Sequence, residues 1–236
     1  MLEIKNLKVE INNNDTKSNF VAVDNILIQD ASFTLTAGQI VKLEGANGSG
    51  KTTLLNAIFK NTSYRISSGD IILNGKSILN LETYELARLG LYLGLQFVPE
   101  IQGLSTIKFL YKAFQNTHTY QDKNKTKSII DFKKELEEKC DLFSLDKNFL
   151  SKDLNVGYSG GEKKQASLIY ILALMPKYIF LDEADSGVDK ESVEKIYKVI
   201  NYLKEKDSAI LITSHNVNLE KYVSFDSIYY LNDKIC

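Results

Sequence analysis

Apolar and polar residues alternate along the opening stretch "LEIKNLKVE" and again along "SFTLT", which predicts that the chain begins as β-strands. The run "FVAVDNILI" reads as another strand, set off from the first by "NNNDTKSN", a loop polar enough to lie in solvent. "GQIVKLEG" predicts a strand that runs into "ANGSGKTTLLNAIF", where Leu54, Leu55 and Ile58 take up helical spacing. "GDIILNGKSI" predicts a hairpin turning at Asn74-Gly75, which closes the early β layer. From Thr106 to Phe143 the period is helical, broken at "HTYQDKNKTK", a lysine-rich segment read as a solvated loop and not as a binding patch. After Ser159 the chain returns to α/β alternation: helix 161–174, strand "YIFLDE", helix "KESVEKIYKVINYLKEK", strand "AILITS" and a last strand "SIYYLN". No internal repeat is visible.

Composition narrows the classes. The 236 residues, 44% hydrophobic and 25% charged, can bury a substantial core as one domain or as one domain carrying a sub-lobe, and disorder is not expected. The 29 basic against 30 acidic residues give no bulk attraction to nucleic acid or to an anionic membrane, so any anion binding must be local. Cys140 and Cys236 make neither a disulfide framework nor a paired metal site, which suits a reducing cytosol. The apolar stretch from Leu168 to Met175 stops at Pro176, well short of the roughly 20 residues that span a bilayer. Direct membrane insertion is therefore not expected, and the alternating N-terminus carries no targeting core.

Two motifs carry chemistry. "GANGSGKT" has the spacing G-x-x-x-x-G-K-[ST] between a strand and a helix, the setting of a phosphate-binding loop. Gly45, Ala46, Asn47, Gly48, Ser49 and Gly50 would curl their backbone N–H groups around phosphates, helped by the dipole of the helix that follows. Lys51 would reach the β- and γ-phosphates of a nucleotide, the Thr52 hydroxyl would ligate Mg²⁺, and Thr53 would lie beside the α-phosphate. "KYIFLDE" supplies the rest: Asp182 at a buried strand's end orients the metal, and Glu183 polarises the attacking water.

"YSGGEKKQ", directly ahead of the apolar run "ASLIYILALM", looks like a second anion-receiving helix start. Placed shortly before "IFLDEADSGVD", it resembles the signature sequence of the ABC-type ATPase family. That resemblance implies a P-loop ATPase domain with a RecA-like core, an N-terminal antiparallel β layer and a helical sub-lobe at about 97–158. It also implies that Ser159, Gly160 and Gly161 cap the γ-phosphate of ATP held by a second subunit, making dimerisation ATP-dependent. On the same pattern Gln96 in "LGLQFVPEIQG" touches Mg²⁺ and the water, Asp189 is the aspartate of the loop after the strand, and His215 in "LITSHN" is the switch histidine. The candidate catalytic set is Glu183, His215 and Gln96, and the candidate metal set is Thr52, Gln96 and Asp182.

Within that family, "NVGYSGGEKK", "LDEADSGVD", "QFVPEIQGLS" and "SYRISSGDIILNGKSI" are similar to the SufC ATPases of SUF iron–sulfur cluster assembly, in place of the "LSGGQ" and "LDEP" of most transporter subunits. The chain departs from the pattern mildly, at Gln165 and Ser214, and ends at Cys236 without the usual tail. The resemblance implies a SufB/SufD-type scaffold as partner, a homodimer contact, a cytoplasmic or organellar-stroma location and no cluster on the ATPase itself. Phe97 to Ser105 is the candidate partner surface, with a plain connecting loop as the alternative, and Phe20 is read as core ahead of an adenine-stacking ring. Two rival functions stay open: the ATPase subunit of a membrane transporter, and a nucleotide-gated interaction protein with negligible turnover.

Overall fold

The structure, a computed structural model, describes residues 1–12, 26–94, 99–121, 127–216 and 219–231. Gln96, Phe20, Phe97 and Cys236 lie outside the described residues. Among the described residues, twelve strands and six α-helices follow in the order β1 (Leu2–Ile11), β2 (Ile26–Ile28), β3 (Phe33–Leu35), β4 (Ile40–Glu44), α1 (Lys51–Ile58), β5 (Tyr64–Leu73), β6 (Lys76–Ser77), α2 (Thr83–Arg88), β7 (Leu91–Gly94), β8 (Ile101–Ser105), α3 (Thr106–Gln121), α4 (Ile129–Leu142), β9 (Asp153–Leu154), α5 (Gly160–Leu174), β10 (Tyr178–Asp182), α6 (Lys190–Glu205), β11 (Ala209–Thr213) and β12 (Ser227–Tyr230).

The parallel sheet, in the order β12-β4-β11-β10-β7, is the frame of the site. All five residues of β10 and of β11 are buried, as a sheet covered on both faces requires. Because side chains alternate across a strand, Ile179, Leu181, Ile210 and Ile212 enter one core with α3, α4, α5 and α6. Tyr178, Phe180, Ala209 and Leu211 enter a second core with α1 and the antiparallel layer. In α6, Val193, Ile196, Tyr197, Ile200 and Leu203 repeat every three or four residues and form its buried stripe. In α5, by contrast, every residue from Leu168 to Ala173 is buried, so the helix has no solvent face over that stretch.

In the antiparallel sheet β1 pairs with β2, β3 and β5, and β5 pairs with β6. The expected turn stands at Asn74 and Gly75, both with positive φ. β1 buries Leu2 and Ile4, then Leu7 and Val9, and the change of phase is a bulge at Asn6, whose φ is 48°. Gly69 faces the bulge, where a Cβ would stand 2.4 Å from the Asn6 carbonyl oxygen. Only Ile26–Ile28 of the predicted "FVAVDNILI" strand is a described strand. The sequence reading had no α2, β7, β8 or β9.

Candidate functional site

Three neighbouring parallel strands deliver the site. β4 leads into the glycine loop, β10 ends in Asp182 and Glu183, and β11, hydrogen-bonded between them, leads to His215. Parallel strands all end at the same edge, so residues more than 100 positions apart in sequence converge there. Asn47, Gly48, Gly50, Lys51, Thr52, Thr53, Glu183 and His215 line one open cleft of about 470 Å³.

The loop is shaped by its glycines. Gly48 and Gly50 have φ of 84° and 97°, and Gly50 is the residue from which α1 starts. Gly45 has no room for a side chain, since a Cβ there would meet Ser49 Oγ at 2.5 Å and the Leu231 carbonyl at 2.8 Å. Lys51 is 8% exposed, and its ammonium donates to the carbonyls of Gly45 and Ala46 at 2.7 and 3.0 Å, closing the loop upon itself.

At the strand ends, Thr213 joins the two acids. Its hydroxyl donates to Asp182 Oδ1 at 2.7 Å and accepts the Glu183 N–H at 3.0 Å, while the Thr213 carbonyl accepts the same N–H at 3.1 Å. Glu183 has φ of 49°, so the chain turns sharply where the strand ends. Its Oε1 lies 3.0 Å from His215 Nε2. The Lys164 ammonium donates to the carbonyls of Glu183 and Ser186, and burial pushes its pKa down against the pull of Asp185 and Glu183.

The donor set fits ATP with Mg²⁺. The Ser49 hydroxyl is buried inside the loop with no partner among the described residues, an acceptor and donor ready for a phosphate oxygen. Asp182 is 7% exposed and, among the described residues, accepts a hydrogen bond only from Thr213, leaving a buried carboxylate with no cation beside it. The exposed Thr52 hydroxyl would be the second oxygen ligand on the protein side. Mg²⁺ takes one or two protein oxygens and completes its shell with phosphates and water.

Ser159, Gly160, Gly161 and Asp189 do not line this cleft. Ser159 caps α5 in a reciprocal box, its Oγ accepting the Glu162 N–H at 3.3 Å and its own N–H donating to Glu162 Oε2 at 2.8 Å. Those bonds hold the Glu162 carboxyl below its ordinary range. Gly160 and Gly161 are exposed, and a Cβ on either would meet nothing within 4 Å. Gly160 lines a separate cavity of about 350 Å³ together with Asp182, Glu183 and Leu168. Asp189 is exposed and caps α6, accepting the Ser192 N–H at 2.8 Å, and this bond lowers its pKa. The segment from Glu100 to Gly103 is exposed, with Glu100 bonded to the Lys163 ammonium at 2.8 Å and to the Gly157 N–H at 3.3 Å. Sequence reasoning did not single out Thr213; it met Ser214, Asp185 and Lys164 only as marks of or departures from the family pattern, and Glu100 only as part of the candidate partner segment, with no role for any of them at the site. A hydroxyl pair ending an apolar strand and a third acid in "LDEAD" were the signals available.

Residues 28–186 match the family described as "ABC transporter". A probable ABC transporter ATP-binding protein of Streptococcus pyogenes serotype M18 is 35% identical over 233 residues, covering 99% of this chain and 86% of the relative. The probable ATP-dependent transporter ycf16 of Trieres chinensis is 34% identical over 236 residues, covering 100% and 89%. A probable ATP-dependent transporter of Synechocystis is 32% identical over 233 residues, covering 99% and 86%. The dimeric structure of the ATP-binding cassette MJ0796, in a post-hydrolysis state bound to ADP and Pi, superposes with a TM-score of 0.75 at 19% identity, covering 99% of this chain and 95% of that one.

Proposed function

The chain belongs to the ABC transporter family of ATP-binding proteins, and from that premise we propose that it is a SufC-like ATPase working on a SufB/SufD-type scaffold in iron–sulfur cluster assembly. Membership makes it an enzyme that converts ATP and water to ADP and phosphate, with Mg²⁺ as cofactor. In the proposed division of labour, the loop from Gly45 to Gly50 and Lys51 hold the phosphates, and Thr53 lies beside the α-phosphate. Thr52, Asp182 and Gln96 would hold Mg²⁺, which would supply neutralisation of phosphate charge. Glu183 takes a proton from the attacking water, with His215 Nε2 3.0 Å from its carboxylate.

One observation carries the two-subunit part of the reading. The helix start at Ser159, Gly160 and Gly161 is exposed, lies outside the cleft of its own P-loop and leaves open space where side chains would be. The first N–H groups of a helix have no partner inside it, so this end suits a phosphate carried by a second copy, with Asp189 close to that contact. The Glu-Lys-Lys triplet favours the SufC-like version. Glu162 caps the signature helix, Lys163 ties it to Glu100 in the candidate partner segment, and Lys164 ties it to the loop after β10. Movement of a scaffold against residues 99–105 thus has a direct route to the signature helix. A cytosolic or stromal location goes with this reading.

The printed names of the relatives favour a second reading, the ATPase subunit of a membrane transporter. Among the described residues no helix is long and apolar enough to cross a membrane, so that reading requires a separate membrane partner. Mass spectrometry of what co-purifies from the native source separates the two. A soluble scaffold is expected, and an integral membrane protein in its place would overturn the SufC-like reading.

A further inference from the structure

His215 is half exposed, so packing does little to fix its ring, and its position depends on the backbone that carries it. That backbone is tied to a buried acid. Asp185, 8% exposed, accepts at Oδ2 the Tyr197 hydroxyl at 3.0 Å and the Ser214 hydroxyl at 2.7 Å. The Ser214 oxygen also accepts the Asn216 N–H at 3.0 Å, so residues 214–216 form a turn closed by a side chain, with His215 at its apex. Tyr197, on α6 and 2% exposed, is the fixed end of this chain of bonds. The buried acid itself sits between Glu183 and the loop leading to Asp189.

A carboxylate is an expensive group to bury, and a packing role alone would be met by a neutral side chain. Two hydroxyl donors on one oxygen hold it in a single orientation, and the third bond, from the Asn216 N–H to the Ser214 oxygen, passes that orientation to the turn. We infer that Asp185 is a positioning residue that acts through Ser214 to present His215 to Glu183 and the P-loop cleft. It ties the switch turn to the loop carrying Asp189, so that contact at that loop reaches the histidine through one buried carboxylate. The inference rests on the proposed part of His215 in hydrolysis, and the test separates the two.

The test is steady-state ATPase kinetics of the full chain with Mg²⁺ and ATP for Ser214→Ala, Ser214→Thr, His215→Ala and the double variant Ser214→Ala/His215→Ala. Ser214 lies at a half-buried position, so its variants are suited to folding where Asp185→Ala is not. Ser214→Ala is expected to lower kcat about tenfold with KM for ATP within about twofold, and Ser214→Thr to restore most of the loss. His215→Ala is expected to lower kcat about a hundredfold, and the double variant to be no worse, because residues acting as one unit are not additive. A wild-type kcat in His215→Ala would remove the histidine from the reaction and the inference with it. Loss of activity in His215→Ala with wild-type kcat in Ser214→Ala, or losses that multiply, would overturn the positioning role alone.

Discussion

Glu183, the proposed base, has a strained backbone. A positive φ costs a non-glycine residue about 1–3 kcal/mol. At Glu183 it is held by the N–H bonds to the carbonyl and hydroxyl of Thr213. Replacing the acid by its amide keeps the shape and removes the base, so Glu183→Gln should lower kcat by about a hundredfold or more while nucleotide still binds, as phosphate release and ATP titration would report. A Glu183→Gln enzyme with normal turnover would take the base role away from this residue. Thr213→Val is a gentler change of nearly equal volume, but it strips the buried Asp182 of its hydrogen bond. Unfolding in urea should register a loss of about 1–3 kcal/mol, the cost of leaving a buried polar group unsatisfied. Cys140 illustrates the opposite case, a group silenced by its setting. It is fully buried, and burial pushes its thiol up to about 12, so in a Cys236→Ser background the native chain should leave a thiol reagent unreacted at pH 8 and consume it once unfolded.

At the scale of elements, the caps of α5 and α6 give a pH prediction. The Ser159 N–H and hydroxyl hold Glu162 below its ordinary value of 4.5, and the Ser192 N–H does the same for Asp189. A folded-state pKa below the unfolded one adds stability above the unfolded value, and this is lost as pH falls through the folded value. Glu162→Gln should therefore be less stable than the parent chain in urea melts at pH 7, and the difference should close below pH 4.5. The elements also differ in how far the sequence revealed them. The strand, loop and helix around Lys51 are contiguous, so spacing alone located them, and Asn74-Gly75 encodes its own turn. α2 and β7 are six and four residues long, too short for a period to emerge, although the Glu82 and Glu85 capping box was a local sign of the helix. The Glu-Lys-Lys triplet was legible only as a family mark. The partner of Lys163 is 63 positions away, and no periodicity reports a contact of that kind.

At the scale of the molecule, two cores sandwich one parallel sheet, and the P-loop cleft opens at the sheet's edge while the signature helix starts outside that cleft, beside the neighbouring cavity that Asp182 and Glu183 also line. This arrangement leaves a feature that folding does not explain. A helix is stabilised by replacing a glycine in its first turns with a side chain, by up to about 1 kcal/mol, and Gly160 has open space for one. Folding of one chain would therefore gain from Gly160→Leu. If Gly160 is kept bare so that a second copy's nucleotide can approach its N–H, the same change must act on assembly. In a Glu183→Gln background with Mg²⁺ and ATP, size exclusion with light scattering should give a dimer. Adding Gly160→Leu should return the monomer, with a thermal midpoint no lower than before. A dimer that survives the leucine would place the contact at another surface, and a fall in the midpoint would mean that the glycine serves the fold of its own chain.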